Sequence, residues 1–232
     1  SLILSALNRV DHASEGRYEE ALDLLTSEGG RVRAVPYDGF WGPLRFPWDL
    51  LPVMDHLLQG VSTYVAATAE VSASASVSGA VHIGDGARVL ENAVIRGPAY
   101  IGEGAVVGNN ALLRGGVNLG ARSVVGFSTE VKHSHVGAEC WFHTNYIGDS
   151  IIDDCCSFGS GAVTANLRFD RKHIRAHFQA TGIDTGTTKL GVIMGSGCHV
   201  GINAGLMPGV LVGPGATIGP HVCLTANLAK GQ

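Results

Sequence analysis

From residue 65 onward an aliphatic side chain recurs at every sixth position: Val65, Val71, Val77, Ile83, Val89, Ile95, Ile101, Val107, Leu113, Leu119, Val125 and Val131. After an interruption the beat resumes at Met194, Val200, Leu206, Val212, Ile218 and Leu224. Glycine often follows the aliphatic residue, as in "HIGDGA" and "YIGEGA", and a small residue usually stands two positions before it. A period of six fits neither the 3.6 of an α-helix nor the 2 of an alternating strand. It fits a solenoid whose flat faces are short strands of one hexad each, three faces to a coil. The aliphatic residue then points inward, the small residue shares the crowded interior, and glycine turns the corners. Successive coils pair through parallel strands about 4.8 Å apart. The pattern predicts a mainly β chain with a parallel β-helix over residues 61–232; periodicity leaves the hand of the helix open.

Residues 1–60 follow another pattern and predict a small α/β segment. "GRYEEALDLLTSEGG" reads as an amphipathic helix ending at Gly29 and Gly30, and "RVRAVPY" as a short strand. "FPWDLLPVMDHLLQG" reads as a second helix, with Asp49 as N-cap and Pro52 in the first turn.

The hexad beat slips at one place. From Val131 the next inward residue is Val136, and "GAECWFHTNYIGDSIIDDCCSFGSGAVTANLRFD" then leaves strict hexads before a longer excursion over about 167–192. Breaks in a solenoid push side chains out of its wall, and sites are built on such excursions.

Composition narrows the reading. Glycine is high at 33 residues of 232, with 6% aromatic and 16% charged residues, which favours a repetitive β architecture over ordinary globular packing. The formal net charge of −4 gives no reason to expect nucleic-acid or membrane binding, and no apolar run reaches the length of a membrane span. The start lacks the basic residues of a signal peptide. The five cysteines (Cys140, Cys155, Cys156, Cys198, Cys223) form no zinc spacing, so free thiols and a cytoplasmic location are expected.

The break carries the candidate chemistry. His143 and Tyr146 in "HTNYIGDS" precede Gly159, Gly161 and Asn166, with Lys172 six residues beyond; upstream lie Arg114 in "ALLRGG" and Lys132 in "EVKHS". These residues resemble the acetyltransferase domain of the bifunctional glucosamine-1-phosphate acetyltransferase/N-acetylglucosamine-1-phosphate uridyltransferases, within the hexapeptide-repeat acyltransferases. The resemblance covers residues 61–232. It implies a left-handed helix, a homotrimer, acetyl-CoA as acyl donor and an amino-sugar 1-phosphate as acceptor, with no metal. It further implies His143 as general base, the backbone N–H of Ser160 as oxyanion donor, and Arg114, Lys132, Tyr146, Asn166 and Lys172 as substrate ligands. The residue types suit the task. An imidazole of pKa about 6.5 can take a proton from an attacking amine at neutral pH, and cations hold a phosphate by charge-assisted hydrogen bonds. Ser157 and Leu167 stand where that family has asparagine and tyrosine, which leaves glucosamine and galactosamine phosphates both open. Apolar strings such as "AVI", "ALL" and "GLM" are read as outward and as a reason to trimerise.

The order of elements in residues 16–60 is similar to the last portion of a sugar-1-phosphate nucleotidylyltransferase domain. The catalytic front of such a domain, with its glycine-rich loop, is not seen, so no nucleotide-sugar synthesis is expected of this chain alone. Two rival readings stand beside the acetyltransferase. A non-catalytic β-helix would only trimerise and position a nucleotidylyltransferase domain. A metal enzyme of the γ-carbonic-anhydrase type would use the pair His133 and His135. Residue by residue, Arg114 and Lys132 also read as solvated surface charges, and Asn166 as part of an internal ladder or turn.

Overall fold

A computed structural model describes residues 2–12, 16–178 and 181–232. The chain divides into two units, residues 1–41 and 42–232.

The first unit holds helices α1 (Leu2–Leu7) and α2 (Arg17–Ser27). Helix α2 ends where its glycines foretell: Gly29 takes φ +81°, a left-handed conformation open to glycine without steric cost. The strand expected over 31–37 is not formed. That stretch is exposed and pairs with no strand, and an extended segment without a ladder partner does not enter a sheet.

In the second unit the hexads form a parallel β-helix. Strand partners on each face lie 18 residues apart through the first coils, as in Tyr64 to His82, Arg88 to Val106 and Val94 to Leu112. The aliphatic positions fill the interior: Ile83, Ile95, Ile101, Leu113, Leu119 and Val125 are all fully buried, with Ala93, Ala99, Ala105 and Ala111 beside them. Val65, Val71 and Val77 keep the beat yet stay exposed, because they belong to the first coil and have no coil below them. Cys140, Cys156 and Cys198 continue the column of small interior residues as free thiols. A hydrogen bond with Cys140, together with burial, pushes the Cys156 thiol up.

The break consists of two single-residue deletions. Lys132 faces Arg114, 18 residues back, but Ser134 faces Val117, 17 back, so His133 alone spans the corner made by Gly115 and Gly116 one coil earlier. Phe142 still faces Val125 at 17, while Tyr146 faces Glu130 at 16. The second missing residue therefore lies at the corner that holds His143. Beyond these short coils, Ile151 pairs with Ile193 and Ser157 with His199, each 42 residues on: one coil of 18 and an excursion of 24.

The excursion contains a hairpin, Arg175–Phe178 with Thr181–Asp184, lying outside the prism. Its Ile174 and Ala176 join Leu190, Trp48, Leu51, Met54 and Leu58 in a second core against Ile151 and Ile193 of the wall. That core explains why residues 42–60 group with the β-helix rather than with the segment expected to end at residue 60. Helix α3 (Leu50–Gln59) buries its apolar face on the solenoid. Pro52 sits in its first turn, as expected. Asp49 does not cap forward; its carboxylate accepts the amides of Arg45 and Phe46, both at 2.8 Å, and so closes the turn Pro47–Asp49 that leads into the helix.

The outward reading of the apolar strings is corrected by this geometry. Ala93, Ile95, Ala111, Leu113 and Leu206 point into the prism. The exposed large apolar side chains are instead Phe127, Trp141, Val163, Ile202 and others off those strings.

Core position should govern mutational cost. Leu113→Ala, in the fully buried column, is expected to lower stability by about 2–5 kcal/mol, whereas Val77→Ala in the open first coil should cost less than about 1 kcal/mol. Thermal and denaturant melts of the two variants check the contrast; equal losses would contradict the assigned interior.

Candidate active site on the shortened coils

Removing a residue from a coil leaves backbone groups without their regular partners, and polar side chains turned inward replace them. Every buried polar side chain among the described residues lies between 123 and 164: Ser123, Thr129, Ser134, Asn145, Asp149, Ser150 and Thr164. Ser134 Oγ accepts the Ser150 amide at 3.0 Å, and Thr164 Oγ1 accepts the Gly148 amide at 2.9 Å. Thr129 Oγ1 donates to the carbonyl of His143 and accepts the amide of Asn145, both at 3.1 Å. Asn145 Nδ2 then donates to the carbonyls of Gly159 (2.8 Å) and Ala162 (2.9 Å) in the next coil. These bonds fix the backbone on both sides of His143. Gly126 completes the support: a Cβ there would fall 2.3 Å from the His143 carbonyl, so only glycine lets the coils approach.

On this fixed corner the His143 side chain is exposed. The imidazole makes no hydrogen bond with any described residue. The corner directly above carries Ser160, exposed in a turn whose Gly161 (φ +78°) donates its amide to Thr144 at 2.8 Å. The Ser160 carbonyl accepts the Asn203 amide at 3.0 Å, while its own N–H has no partner among the described residues. Around these corners stand the exposed Phe127, Trp141 and Ile202.

At the other end of the same face, two of the expected substrate ligands, Lys132 and Asn166, converge on a residue that the sequence reading did not assign, and a third, Tyr146, joins them through Asn166. The buried carboxylate of Asp149 accepts Lys132 Nζ on both oxygens (2.8 and 2.6 Å), His133 Nδ1 at 2.8 Å and Asn166 Nδ2. Asn166 Nδ2 also donates to the Tyr146 hydroxyl at 3.1 Å. Tyr146 lies across Gly148, where a Cβ would come within 2.6 Å of its hydroxyl. His133 Nε2 turns the other way and meets both oxygens of Asp55 on helix α3 at 3.1 Å. An imidazole with a carboxylate at each nitrogen donates twice and is cationic. Two carboxylates, one ammonium and one imidazolium thus make a closed, neutral cluster joining helix α3 to the solenoid.

The acid–base balance follows from those contacts. Burial pushes the Asp149 carboxyl up, but hydrogen bonds from His133, Lys132 and Asn166 outweigh it and hold the group below the ordinary carboxylate range. The hydrogen bond with Asp149 raises His133; burial opposes it and Asp55 assists it. Desolvation lifts Tyr146, which keeps its proton for donation.

Arg114 and Lys132, expected as phosphate ligands or as solvated charges, each stand in an ion pair. Arg114 is bound to Glu130 through Nε at 2.7 Å and Nη2 at 2.5 Å. Lys132 keeps only 14% of its side chain exposed and belongs to Asp149. Lys172 lies apart on the excursion and forms no ion pair among the described residues. His133 and His135 diverge: His133 serves the two aspartates, while His135 Nδ1 meets Asn118 at 3.1 Å. No cluster of three metal-ligating side chains occurs among the described residues. Asp149 was legible in the quoted "IGDS" and His133 in "KHSH"; Asp55, 78 residues from its partner, carried no sequence signal.

Comparison with known proteins gives the chain's relatives. Residues 191–226 match the bacterial transferase hexapeptide family, six repeats. A bifunctional sugar-1-phosphate nucleotidylyltransferase/acetyltransferase of Sulfurisphaera tokodaii is 31% identical over 99% of this chain and 58% of its own length. The bifunctional protein GlmU of Methanocaldococcus jannaschii is 36% identical over 95% of this chain and 53% of its own, and that of Methanococcus maripaludis 44% identical over 86% and 48%. The chain spans about half the length of the curated relatives it matches. Among solved structures, an Arabidopsis UDP-N-acetylglucosamine acyltransferase aligns over 72% of this chain and 69% of its own at 14% identity, with a TM-score of 0.38. The chain carries the hexapeptide repeat of the bacterial transferases, and the resemblance to the acetyltransferase half of the bifunctional enzymes holds.

Asp149→Ala should leave the Lys132 ammonium without its partner and His133 with Asp55 alone, and lower stability by about 3–5 kcal/mol, read from denaturant melts. Loss below 1 kcal/mol would contradict the cluster.

The cluster also sets a pH dependence. His133 is raised in the folded state, so its contribution is complete below the free value of about 6.5 and fades as pH rises through the folded value. Asp149 is lowered, so its contribution is complete above the free value of about 3.9 and fades as pH falls through the folded one. The melting midpoint should fall as pH is raised from about 6 to about 9, and this fall should be smaller in His133→Gln. Identical pH profiles for the two proteins would refute it.

Proposed function

We propose that this chain is an acetyl-CoA-dependent N-acetyltransferase acting on an amino-sugar 1-phosphate, with glucosamine and galactosamine phosphates both as candidates. The observation that carries the reading is the single prism face that holds, on shortened coils, an exposed His143 at one end and the Tyr146–Asn166–Asp149 cluster at the other. The name of the Sulfurisphaera tokodaii relative, which pairs sugar-1-phosphate chemistry with acetyl transfer, supports the same class.

The roles follow from chemistry. The 2-amino nitrogen attacks the thioester carbonyl carbon while His143 takes its proton. The resulting oxyanion receives the free N–H of Ser160, a donor of a kind worth about 2.7–4 kcal/mol in a transition state. Collapse breaks the C–S bond, and the imidazolium returns the proton to the leaving thiolate. Tyr146 and Asn166 orient the sugar through hydroxyl and amine, their own positions set by Asp149. Arg114 binds phosphate by exchanging its half-buried partner Glu130. Lys132 gives up its buried partner less readily, because that would unbalance a neutral cluster. Lys172 reaches phosphate from the excursion.

A homotrimer is part of the proposal. Phe127, Trp141 and Ile202 form an exposed apolar rim beside His143 and Ser160, which a neighbouring prism would cover. Light scattering is expected to give three chains per particle; a monomer at micromolar concentration would contradict this.

Acetylation of glucosamine 1-phosphate and galactosamine 1-phosphate by purified protein tests the activity. His143→Ala should lower kcat by about 10²–10⁴, leave the melting midpoint unchanged and remove the ascending limb of the pH profile of kcat/KM. No acetylation of either sugar in the wild type would leave a non-catalytic trimerising β-helix as the better reading. Acetylation indifferent to His143→Ala would retain the reaction and remove the base.

A further inference from the structure

The excursion concentrates positive charge on a chain that is negative overall. Residues 167–177, "LRFDRKHIRAH", hold four of the sixteen lysines and arginines: Arg168, Arg171, Lys172 and Arg175. The local fold sorts these residues by alternation. Ile174 and Ala176 are buried in the second core, which turns His173, Arg175 and His177 outward on a strand anchored from beneath. Three grooves meet at Arg168. One, of about 470 Å³, is lined by Arg168, Lys172, His173, Arg175 and Asp184. A second, of about 520 Å³, runs from Arg168 and Arg175 past His177 to Thr225 and Asn227. The third, of about 480 Å³, is apolar, with Leu167, Phe169, Met207 and Pro208.

Two features of this surface are unusual together. Phe169 is fully exposed, at 108%, between Arg168 and Asp170. The cations beside it are held in place: Asp170 accepts Arg168 Nε and Nη2, both at 2.8 Å, and the Gly182 carbonyl accepts Arg175 Nη2. His173 lies 3.3 Å from Asp184, the one carboxylate lining the cationic groove. With Asp170 counted beside Asp184, three cations against two carboxylates leave that groove net positive. An open aromatic face next to a net positive groove fits a ligand with a flat ring at one end and several negative charges at the other. Bases stack on exposed aromatic side chains whatever their identity, and guanidinium groups pair with phosphate oxygens in two-point contacts.

We infer that the excursion forms a binding site for a nucleotide carrying two or more phosphates, with the base on Phe169 and the phosphates on Arg168 and Arg175. A sugar monophosphate supplies neither the ring nor the charge to occupy both. Two sources share this chemistry: the phosphorylated adenosine end of the acyl donor, which rests on the proposed acetyl transfer, and a free nucleoside triphosphate, which does not.

Calorimetric titration of the whole chain with adenosine 3′,5′-bisphosphate, coenzyme A, UTP, pyrophosphate and glucosamine 1-phosphate tests the site without turnover, so failure of the acetyltransferase reading leaves the test intact. Binding of the bisphosphate should weaken as salt is raised. Phe169→Ala should weaken it about tenfold while leaving pyrophosphate unchanged. Arg175→Gln should weaken both about tenfold or more, and neither substitution should alter glucosamine 1-phosphate binding. Tighter binding of coenzyme A than of UTP assigns the site to the acyl donor; the reverse assigns it to a free nucleotide. No nucleotide binding, or binding indifferent to both substitutions, overturns the proposal.

Discussion

In a β-helix each backbone amide finds its acceptor one coil away, so the number of residues per coil is a constraint on every coil at once. Eighteen residues close three flat faces and leave an interior just wide enough for one aliphatic side chain per face with a small neighbour. Val89, Ile95 and Ile101, with Ala87, Ala93 and Ala99, are the regular solution, all essentially inaccessible to water. A coil that drops a residue cannot repeat this arrangement, because its corner backbone shifts against the coils on either side. The hydroxyl and amide side chains of Thr129, Ser134, Asn145, Ser150 and Thr164 take over the lost backbone contacts. Asn145 Oδ1 is buried with no donor among the described residues.

The candidate chemistry depends on that shortening. A full corner would carry His143 one residue further round, and a two-residue corner at His133, like Gly115–Gly116 one coil earlier, would shift His133 relative to Asp149. Both His133 and Asp149 take left-handed backbone conformations (φ +44° and +47°), as do corner residues of other coils such as Arg122, Ser128 and Cys155. Asp149 has two duties that cannot be separated: it offsets the charge of Lys132 and His133, and it fixes Asn166, which fixes the hydroxyl of Tyr146.

Helix α3 and the excursion are attachments to the solenoid, held by one shared apolar core on its outer wall. Trp48, Leu51, Met54 and Leu58 from the helix meet Ile174, Ala176 and Leu190 from the excursion over Ile151 and Ile193. This common core ties the position of Asp55, and through it His133, to segments more than a hundred residues away in the chain. It also presents the outward residues of the hairpin on a fixed support, although the excursion itself has no hexad register.

The solenoid was legible in the chain alone, because a six-residue period fits neither helix nor alternating strand, and beyond the first coil the aliphatic positions on that beat are buried. The sequence located the break as well, since Val131 to Val136 is five residues, and it named His143, Tyr146 and Asn166 there. It misread "RVRAVPY" as a strand, because alternation alone does not supply a ladder partner. It took "AVI" and "ALL" as outward, though the beat itself places Ile95 and Leu113 inside. Only the tertiary structure decided the electrostatics. Whether Lys132 is solvated, bound to phosphate or buried on Asp149 depends on where residues 17 and 34 positions further along are stacked, and Asp55 reaches His133 only because helix α3 docks on an apolar wall. A residue's type sets the charge it can carry; its partners across the coils decide whether that charge is free.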